Sequence, residues 1–209
     1  MSTQEVIRVM VVDDHPVVRF GIVAMLGARP GLVVVAQAST GEEAIRLFRE
    51  HQPDVCLMDL RLPDIGGADA IRAIRKEFPN SMFIVVTTFR GDEDIHKAIS
   101  AGAHSYLLKG MSHEELIEAI RRVNSGRKYL PNPVLQTLAQ RDPDSTLSAR
   151  EFEILTLIVK GMSNKEIADT LHISVGTVKW HVNTILARLK VSDRTQAAVA
   201  ALHRGIVEL

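Results

Sequence analysis

Six polar residues of this 209-residue chain draw notice because each closes, or stands directly after, a short apolar run: Asp13 and Asp14, Asp59, Thr87 and Thr88, and Lys109. Runs of that length read as buried strands. In an open parallel sheet, ligands bind beyond the carboxyl ends of the strands, where the strand order reverses. Such a sheet would bring three carboxylates, hydroxyls and an ammonium to one crevice. Carboxylates in contact repel by about 4 kcal/mol per pair at ~4 Å and an effective dielectric of ~20, so positive charge has to offset them. Mg²⁺, which takes one or two carboxylates together with waters and phosphate oxygens, suits the cluster. Lys109 offers a second charge, and Thr87 a hydrogen bond, to the oxygens of a phosphoryl group. A carboxylate held this way can act as nucleophile on a phosphodonor. His15, beside the acid pair, reads as an exposed residue flanking the site rather than as a general base.

The elements that must position these groups follow from the pattern of apolar residues. Strand-like runs occur at Val9 to Val12, Val33 to Ala38, Val55 to Leu60, Phe83 to Thr87 and Ser105 to Leu108. Amphipathic stretches of helical length lie between them, at about Val17 to Leu26, from Thr40 onward, Ala68 to Phe78, Glu93 to Ala101, and from Ser112 onward. Thr40 with Glu43, and Ser112 with Glu115, have the spacing of capping boxes, while Gly102 is placed to end the fourth helix. Strict alternation of strand and helix predicts a doubly wound parallel sheet covered on both faces.

Periodicity fails from about Arg127 to Ser145, where Pro131, Pro133, Pro143 and the polar run Gln140 to Ser145 read as a linker with a short helix near Val134 to Ala139. Residues 1–127 are thus expected to form one domain, 128–145 the linker and 146–209 a second domain. Beyond the linker the pattern is helical only. Ser148 with Glu151 and Ser163 with Glu166 open two helices, Ser174 precedes a third and Ser192 a fourth, and Gly161 closes the first. In the third, Val178, Val182, Ile185 and Leu189 form an apolar stripe, which leaves Lys179, Trp180 and Asn183 on the other face. Such a helix fits the major groove, roughly 12 Å wide, with Lys179 and Asn183 donating to bases or phosphates and Trp180 lying against thymine methyls or sugars. Trp180 packed against the first domain is the alternative. Asn164 and Lys165, at the start of the preceding helix, suit phosphate contacts.

Bulk properties add bounds. Apolar residues make up 46% and charged residues 24% of the chain, the composition of a folded globular protein rather than a disordered one. Basic and acidic side chains balance at 25 each, and residues 145–209, with 8 basic and 6 acidic, are too mildly basic to argue for nucleic acid by charge alone. A single cysteine, Cys56, rules out an intrachain disulfide and sits in an apolar run as an inert thiol. Neither a leader-like segment nor an apolar run of about 18 residues occurs, so a cytoplasmic protein without membrane contact is expected.

The segments Val-Val-Asp-Asp-His at 11–15, Met-Asp-Leu-Arg-Leu-Pro at 58–63, Val-Val-Thr-Thr at 85–88 and Tyr-Leu-Leu-Lys at 106–109 resemble the receiver domains of two-component response regulators. Residues 147–151, 161–168, 177–182 and 189–194 resemble the LuxR-type helix-turn-helix of NarL-family regulators. The resemblance implies an α/β plus all-α chain: a (βα)5 flavodoxin-like parallel-sheet receiver followed by a four-helix LuxR-type DNA-binding domain. It also implies that Asp59 accepts a phosphoryl group and that Asp14, Asp59 and the Arg61 carbonyl bind Mg²⁺, with Asp13 contributing through water. Lys109 would bind phosphate, and Thr87 and Tyr106 would form the switch pair with Thr88 beside them, Tyr106 and Thr88 being open to plain packing and surface roles. Lys179, Trp180 and Asn183 would read DNA, Lys165 and Thr177 would hold phosphates, and the last helix, Arg194 to Arg204, would dimerise. Expected partners are a sensor histidine kinase, double-stranded DNA at inverted repeats, and a second copy when phosphorylated. No catalysis is expected beyond the receiver's own phosphotransfer and dephosphorylation. Many receivers carry Pro after the lysine, where this chain has Gly110, which argues against a cis bond there.

Two rival classes share parts of the pattern. Aspartate-based phosphatases resembling the haloacid dehalogenase group need Asp-x-Asp after the first strand, which Asp13-Asp14-His15 does not supply. A ligand-sensing LuxR-type regulator has no use for Asp13, Asp14, Asp59 and Lys109 together.

Overall fold

In the computed structural model, which describes residues 6–88, 91–139 and 147–207, the chain separates into two compact units, the main division falling between Gln136 and Thr137. The first holds five strands, β1 (Ile7–Val12), β2 (Leu32–Ala38), β3 (Val55–Met58), β4 (Met82–Thr87) and β5 (Ser105–Leu108), alternating with α1 (Pro16–Gly27), α2 (Gly41–His51), α3 (Gly67–Glu77), α4 (Asp92–Ala101) and α5 (His113–Asn124). All strand pairs are parallel, in the order β2-β1-β3-β4-β5. The order reverses between β1 and β3, and register aligns their ends: Val12 pairs with Met58, Met58 with Val85, and Thr87 with Leu108. The residues that follow these ends therefore emerge side by side.

Two-residue periodicity divides the strand side chains between two cores. Val9, Val11, Leu57, Ile84, Val86 and Leu107 pack with Ile22 and Leu26 of α1 and Leu116, Ile120 and Val123 of α5. On the opposite face Phe48 of α2 stacks on Phe83 with ring centroids 5.7 Å apart. Covering both faces lets the strands be nearly uniformly apolar. After α5 the chain makes a single parallel bridge, Tyr129 to Ser105, and then α6 (Asn132–Ala139). Tyr129 donates its backbone N–H to the His104 carbonyl at 3.0 Å.

The second unit is helical, with α7 (Ala149–Val159), α8 (Asn164–Leu171), α9 (Val175–Leu189) and α10 (Arg194–His203) around Ile154, Leu155, Ile158, Ile167, Val178, Ile185, Leu189, Ala197 and Ala201. Full capping boxes open α7 and α8, at Ser148 with Glu151 and Ser163 with Glu166. Glu151 is buried and also pairs with Arg188 of α9 at 2.9 Å, so one carboxylate caps α7 and ties it to α9.

Four local readings need correction or qualification. At α5, Ser112 accepts the Glu115 N–H at 3.1 Å, but the return bond that would complete a capping box is not formed. At α2, Thr40 accepts the Glu43 N–H as expected, but the Glu43 carboxylate accepts from the Ser39 backbone N–H at 2.8 Å instead of closing a box on Thr40. α10 is capped by Asp193, not Ser192: the extended backbone at Asp193 aims its carboxylate at the Gln196 N–H, 2.8 Å away, while the Ser192 N–H donates to the Gln196 side chain. β3 ends at Met58, two residues before the expected Leu60, which frees Asp59 from the strand. The polar run Gln140 to Ser145, read as linker, lies outside the described residues.

Candidate phosphoryl-acceptor site and DNA-facing helix

Asp13 follows β1 and Asp59 follows β3, and both are buried. Their backbones continue the sheet: the Asp59 N–H donates to the Val12 carbonyl at 2.9 Å and the Asp13 N–H to that of Ala38 at 3.1 Å. Lys109, after β5, is anchored by its own N–H on the Thr87 carbonyl at 2.7 Å. Its ammonium lies 2.8 Å from Asp13 Oδ2 and 2.7 Å from Asp59 Oδ2, with only 10% of the side chain exposed. Burial opposes the lysine's charge, but the hydrogen bonds it donates to Asp13 and Asp59 prevail and hold its pKa above the ordinary value. Asp59 Oδ1 accepts the Leu60 N–H at 2.7 Å.

Asp13, Asp14, Asp59 and His15 each offer one ligand atom, all within 4.8 Å of one another. Asp14 Oδ1 is shut off from solvent, makes no hydrogen bond of ordinary geometry and lies 2.7 Å from His15 Nδ1. A pocket with this donor set, rich in hard carboxylate oxygen and holding a buried oxygen short of donors, fits a divalent cation. Arg61 lies two residues past Asp59 in the β3–α3 connection and is partly buried. Close approach shapes that connection: a Cβ on Gly67 would lie 1.9 Å from the Asp59 carbonyl oxygen, and one on Gly41 would lie 2.4 Å from Ile65 Cγ1.

Thr87 and Tyr106 are fully buried, on the sheet face opposite α1 and α5, whereas Thr88 is exposed past the end of β4. No described peptide bond is cis, and Gly110 takes φ +111°, a conformation that favours glycine. The sequence reading gave no part to Arg19, which donates to the Asp13 carbonyl at 2.5 Å, nor to Asp64, whose carboxylate accepts the Gly41 and Glu42 N–H groups at 2.7 and 2.8 Å. Asp64 lies 23 residues beyond Gly41 in the chain, so no local spacing signals the second bond. His15 is 63% exposed, as a flanking residue should be, but its Nδ1 is turned onto the carboxylates.

In the helical unit α8 ends with His172 in the left-handed region, and Ser174 caps α9 by accepting the Thr177 N–H at 3.0 Å. Lys165, Thr177, Lys179, Trp180 and Asn183 are exposed, Trp180 to 63%, its ring edge on His181. Two of the expected contact residues already have partners. The Thr177 hydroxyl lies 2.8 Å from that of Ser174, and Asn164 Oδ1 accepts from Arg194 at 3.4 Å. Arg194, also unassigned by the sequence reading, further donates to the Met162 carbonyl at 2.6 Å and so fixes the turn before α8.

Comparison with known proteins agrees with both halves. Residues 9–121 match the response regulator receiver domain, and residues 145–201 match the bacterial regulatory proteins of the luxR family. The transcriptional regulatory protein LiaR of Bacillus subtilis (strain 168) is 43% identical over 207 residues, covering 95% of this chain and 98% of its own. The response regulator protein VraR of Staphylococcus aureus is 38% identical, covering 97% and 99%. Among solved structures, the response regulator ChrA of a heme-sensing two-component system is similar at TM-score 0.58 and 37% identity, covering 97% of this chain and 99% of that one. RcsB from Salmonella enterica serovar Typhimurium, bound to a promoter in the presence of the phosphomimetic BeF3⁻, is similar at TM-score 0.73 and 25% identity, covering 93% and 97%. The chain belongs to the response regulators that join a receiver to a LuxR-type helix-turn-helix, and it is a DNA-binding transcriptional regulator of a two-component system.

Proposed function

We propose that the regulator is switched by phosphorylation of Asp59, with a sensor histidine kinase as donor and Mg²⁺ as cofactor. The observation that carries this reading is the Lys109 ammonium bridging the buried carboxylates of Asp13 and Asp59 at the point where the strand order reverses. Asp59 attacks phosphorus through a carboxylate oxygen; a P–O bond to Asp59 forms as the P–N bond to the donor histidine breaks, and the released imidazole takes up a proton. Lys109 exchanges one carboxylate partner for the incoming phosphoryl oxygens and holds their charge. Asp13, Asp14 and Asp59, with the Arg61 carbonyl, would hold the metal, which supplies further neutralisation of the transferring group. Thr87, at the end of β4, hydrogen bonds to the phosphoryl group and draws Tyr106 into the change. Thr88 flanks this switch. No catalysis beyond the chain's own phosphotransfer and dephosphorylation is assigned to it.

The output is binding to duplex DNA in the cytoplasm as a phosphorylation-promoted dimer on inverted-repeat sites. Lys179, Trp180 and Asn183 meet base edges in the major groove, and Asn164, Lys165 and Thr177 meet phosphates. Val199 and Leu202, apolar and exposed on α10, suit a self-complementary contact. Incubation with Mg²⁺ and acetyl phosphate should add one phosphoryl group by intact-mass measurement and none to Asp59→Ala; labelling of that variant would overturn the assignment. Footprinting should show protection of two half-sites about one helical turn apart.

A further inference from the structure

The arginines and lysines of the helical unit are used differently. Lys165 and Lys179 stand exposed, whereas Arg150, Arg188 and Arg194 are only partly exposed and each is bonded to another element of the same unit. Two of these bonds start from the first turn of α7. Arg150 donates to the Leu171 carbonyl, the last of α8, at 3.0 Å, and so holds the turn by which the chain enters α9. The next residue, Glu151, is buried and reaches the far end: its Oε2 lies 2.9 Å from Arg188 in the last turn of α9. The same oxygen accepts the Ser148 N–H at 2.7 Å and the Ser148 hydroxyl at 2.8 Å, which fix the carboxylate that Arg188 meets. One turn of α7 therefore holds α9 at both ends.

Directional ties at the two ends of a reading helix control what its middle can reach. The apolar contacts of Val178, Ile185 and Leu189 bury α9 without fixing its tilt, because hydrophobic attraction is non-directional, while charge-assisted hydrogen bonds specify direction. Lys179 precedes Arg188 by about 13 Å along the axis, so a tilt of about 5° at that end displaces it by about 1 Å. A shift of that size takes a hydrogen bond out of range. We propose that Arg150 and the Glu151–Arg188 pair are positioning residues for DNA reading: they set the tilt of α9 against α8, and with it the placement of Lys179, Trp180 and Asn183 on base edges, without touching DNA themselves. The proposal rests on the reading of α9 as the helix that enters the major groove, and it adds which residues aim that helix.

Binding of the full chain, after incubation with Mg²⁺ and acetyl phosphate, should be measured on two duplexes over a series of salt concentrations. One duplex is selected by the wild-type chain from a random-sequence pool, and the other carries the same sequence scrambled. Glu151→Gln combined with Arg188→Met leaves no charge buried alone and keeps an acceptor for Ser148, so the variant should remain folded by thermal unfolding. Its affinity for the selected duplex should fall by roughly tenfold, the scale of one lost base contact, with affinity for the scrambled duplex within about twofold and the salt slope unchanged. Arg150→Met should reduce the same preference, and Arg188→Lys, which keeps the ion pair, should retain it. If Arg188 instead contacts a phosphate, the combined variant will lose affinity for both duplexes alike and its salt slope will shrink by about one, and the proposal fails. It fails equally if the combined variant binds both duplexes as wild type does. Should that variant not fold, Glu151→Gln alone decides: an unaltered preference for the selected duplex overturns the proposal. If Lys179→Ala keeps the full preference, the reading of α9 as the groove helix fails, a separate outcome.

Discussion

The two functional regions of this regulator are built on opposite plans. At the strand ends of the receiver, Asp13 and Asp59 are buried, Lys109 is largely so, and the three are already bonded to one another, so the site is assembled before any phosphodonor arrives. On α9, Lys179, Trp180 and Asn183 stand in solvent on a helix whose other side is locked into the core by Val178, Ile185 and Leu189. A reaction needs charges fixed against one another at atomic distances, which the sheet supplies. A groove reader needs only a rigid helix and side chains left open for the partner to engage. The difference teaches where substitutions should hurt. In the receiver site, function and folding share the same atoms; on α9 they are separable.

The largest expected effect tests the first half of that contrast. Lys109→Ala leaves two buried carboxylates without the cation between them, and losing one member of a buried charge cluster costs about 3 kcal/mol or more. Chemical denaturation should show a large change in midpoint, and phosphoryl uptake should fall below detection. A variant as stable as wild type would mean that Asp13 and Asp59 are relieved by some other group. Asp59→Asn, which retains the shape and removes one negative charge, should recover much of the stability of Lys109→Ala when the two are combined, because it removes the repulsion between the Asp13 and Asp59 carboxylates.

The second half predicts dissociation of binding from stability. Lys179→Ala and Trp180→Ala should each weaken binding to the regulator's own site by about 10- to 100-fold, the scale of a base contact worth ~1–3 kcal/mol. Both should unfold within about 0.5 kcal/mol of wild type, as exposed positions do. The two differ in kind. Replacing thymines of the half-site by uracils removes the methyl groups and should reduce wild-type affinity while leaving that of Trp180→Ala unaltered. Loss of stability in Trp180→Ala would show the indole to be a packing residue after all.

Much of this organisation is legible in the sequence for a physical reason. A chain covered on both faces of its sheet writes its strands as apolar runs, and whatever polar residue ends a run must lie at the sheet's edge with its neighbours. Asp13, Asp59, Thr87 and Lys109 are therefore found by position. What escapes is whatever depends on local aim. His15 reads as a surface residue because its exposure is real; only the extended backbone before Pro16 reveals that its nitrogen points inward. Arg19, Asp64 and Arg194 escape because each acts on backbone atoms far from it in sequence or on another element, and no spacing rule encodes such a bond. The choice of Asp193 over Ser192 as cap was decided by one residue's dihedral angles, below what a cap-residue pattern resolves.

Asp64 carries the smallest expected effect and the finest test of how the two regions differ. It sits in the connection that also carries Arg61, yet it is exposed and fastens that connection to the start of α2 by accepting the Gly41 and Glu42 N–H groups. Slight burial works against its charge, but the N–H donors of Glu42, Gly41, Ile65 and Asp64 itself outweigh it and lower the carboxyl from its ordinary 3.8 to about 2. A folded value below the unfolded one means the stabilisation is present in full above pH ~4 and is lost as pH falls toward ~2. Because the group is solvated, the contribution is that of a helix cap, about 1 kcal/mol. Asp64→Ala should therefore lower stability by about that much at neutral pH, and the gap between variant and wild type should close as pH falls from about 4 to about 2. The corresponding cap in the helical unit, Ser174 on α9, has no titrating group, so the deficit of Ser174→Ala should stay constant across the same range. A pH-independent deficit in Asp64→Ala would show that the connection is held by the packing of Ile65 against Gly41 rather than by the carboxylate.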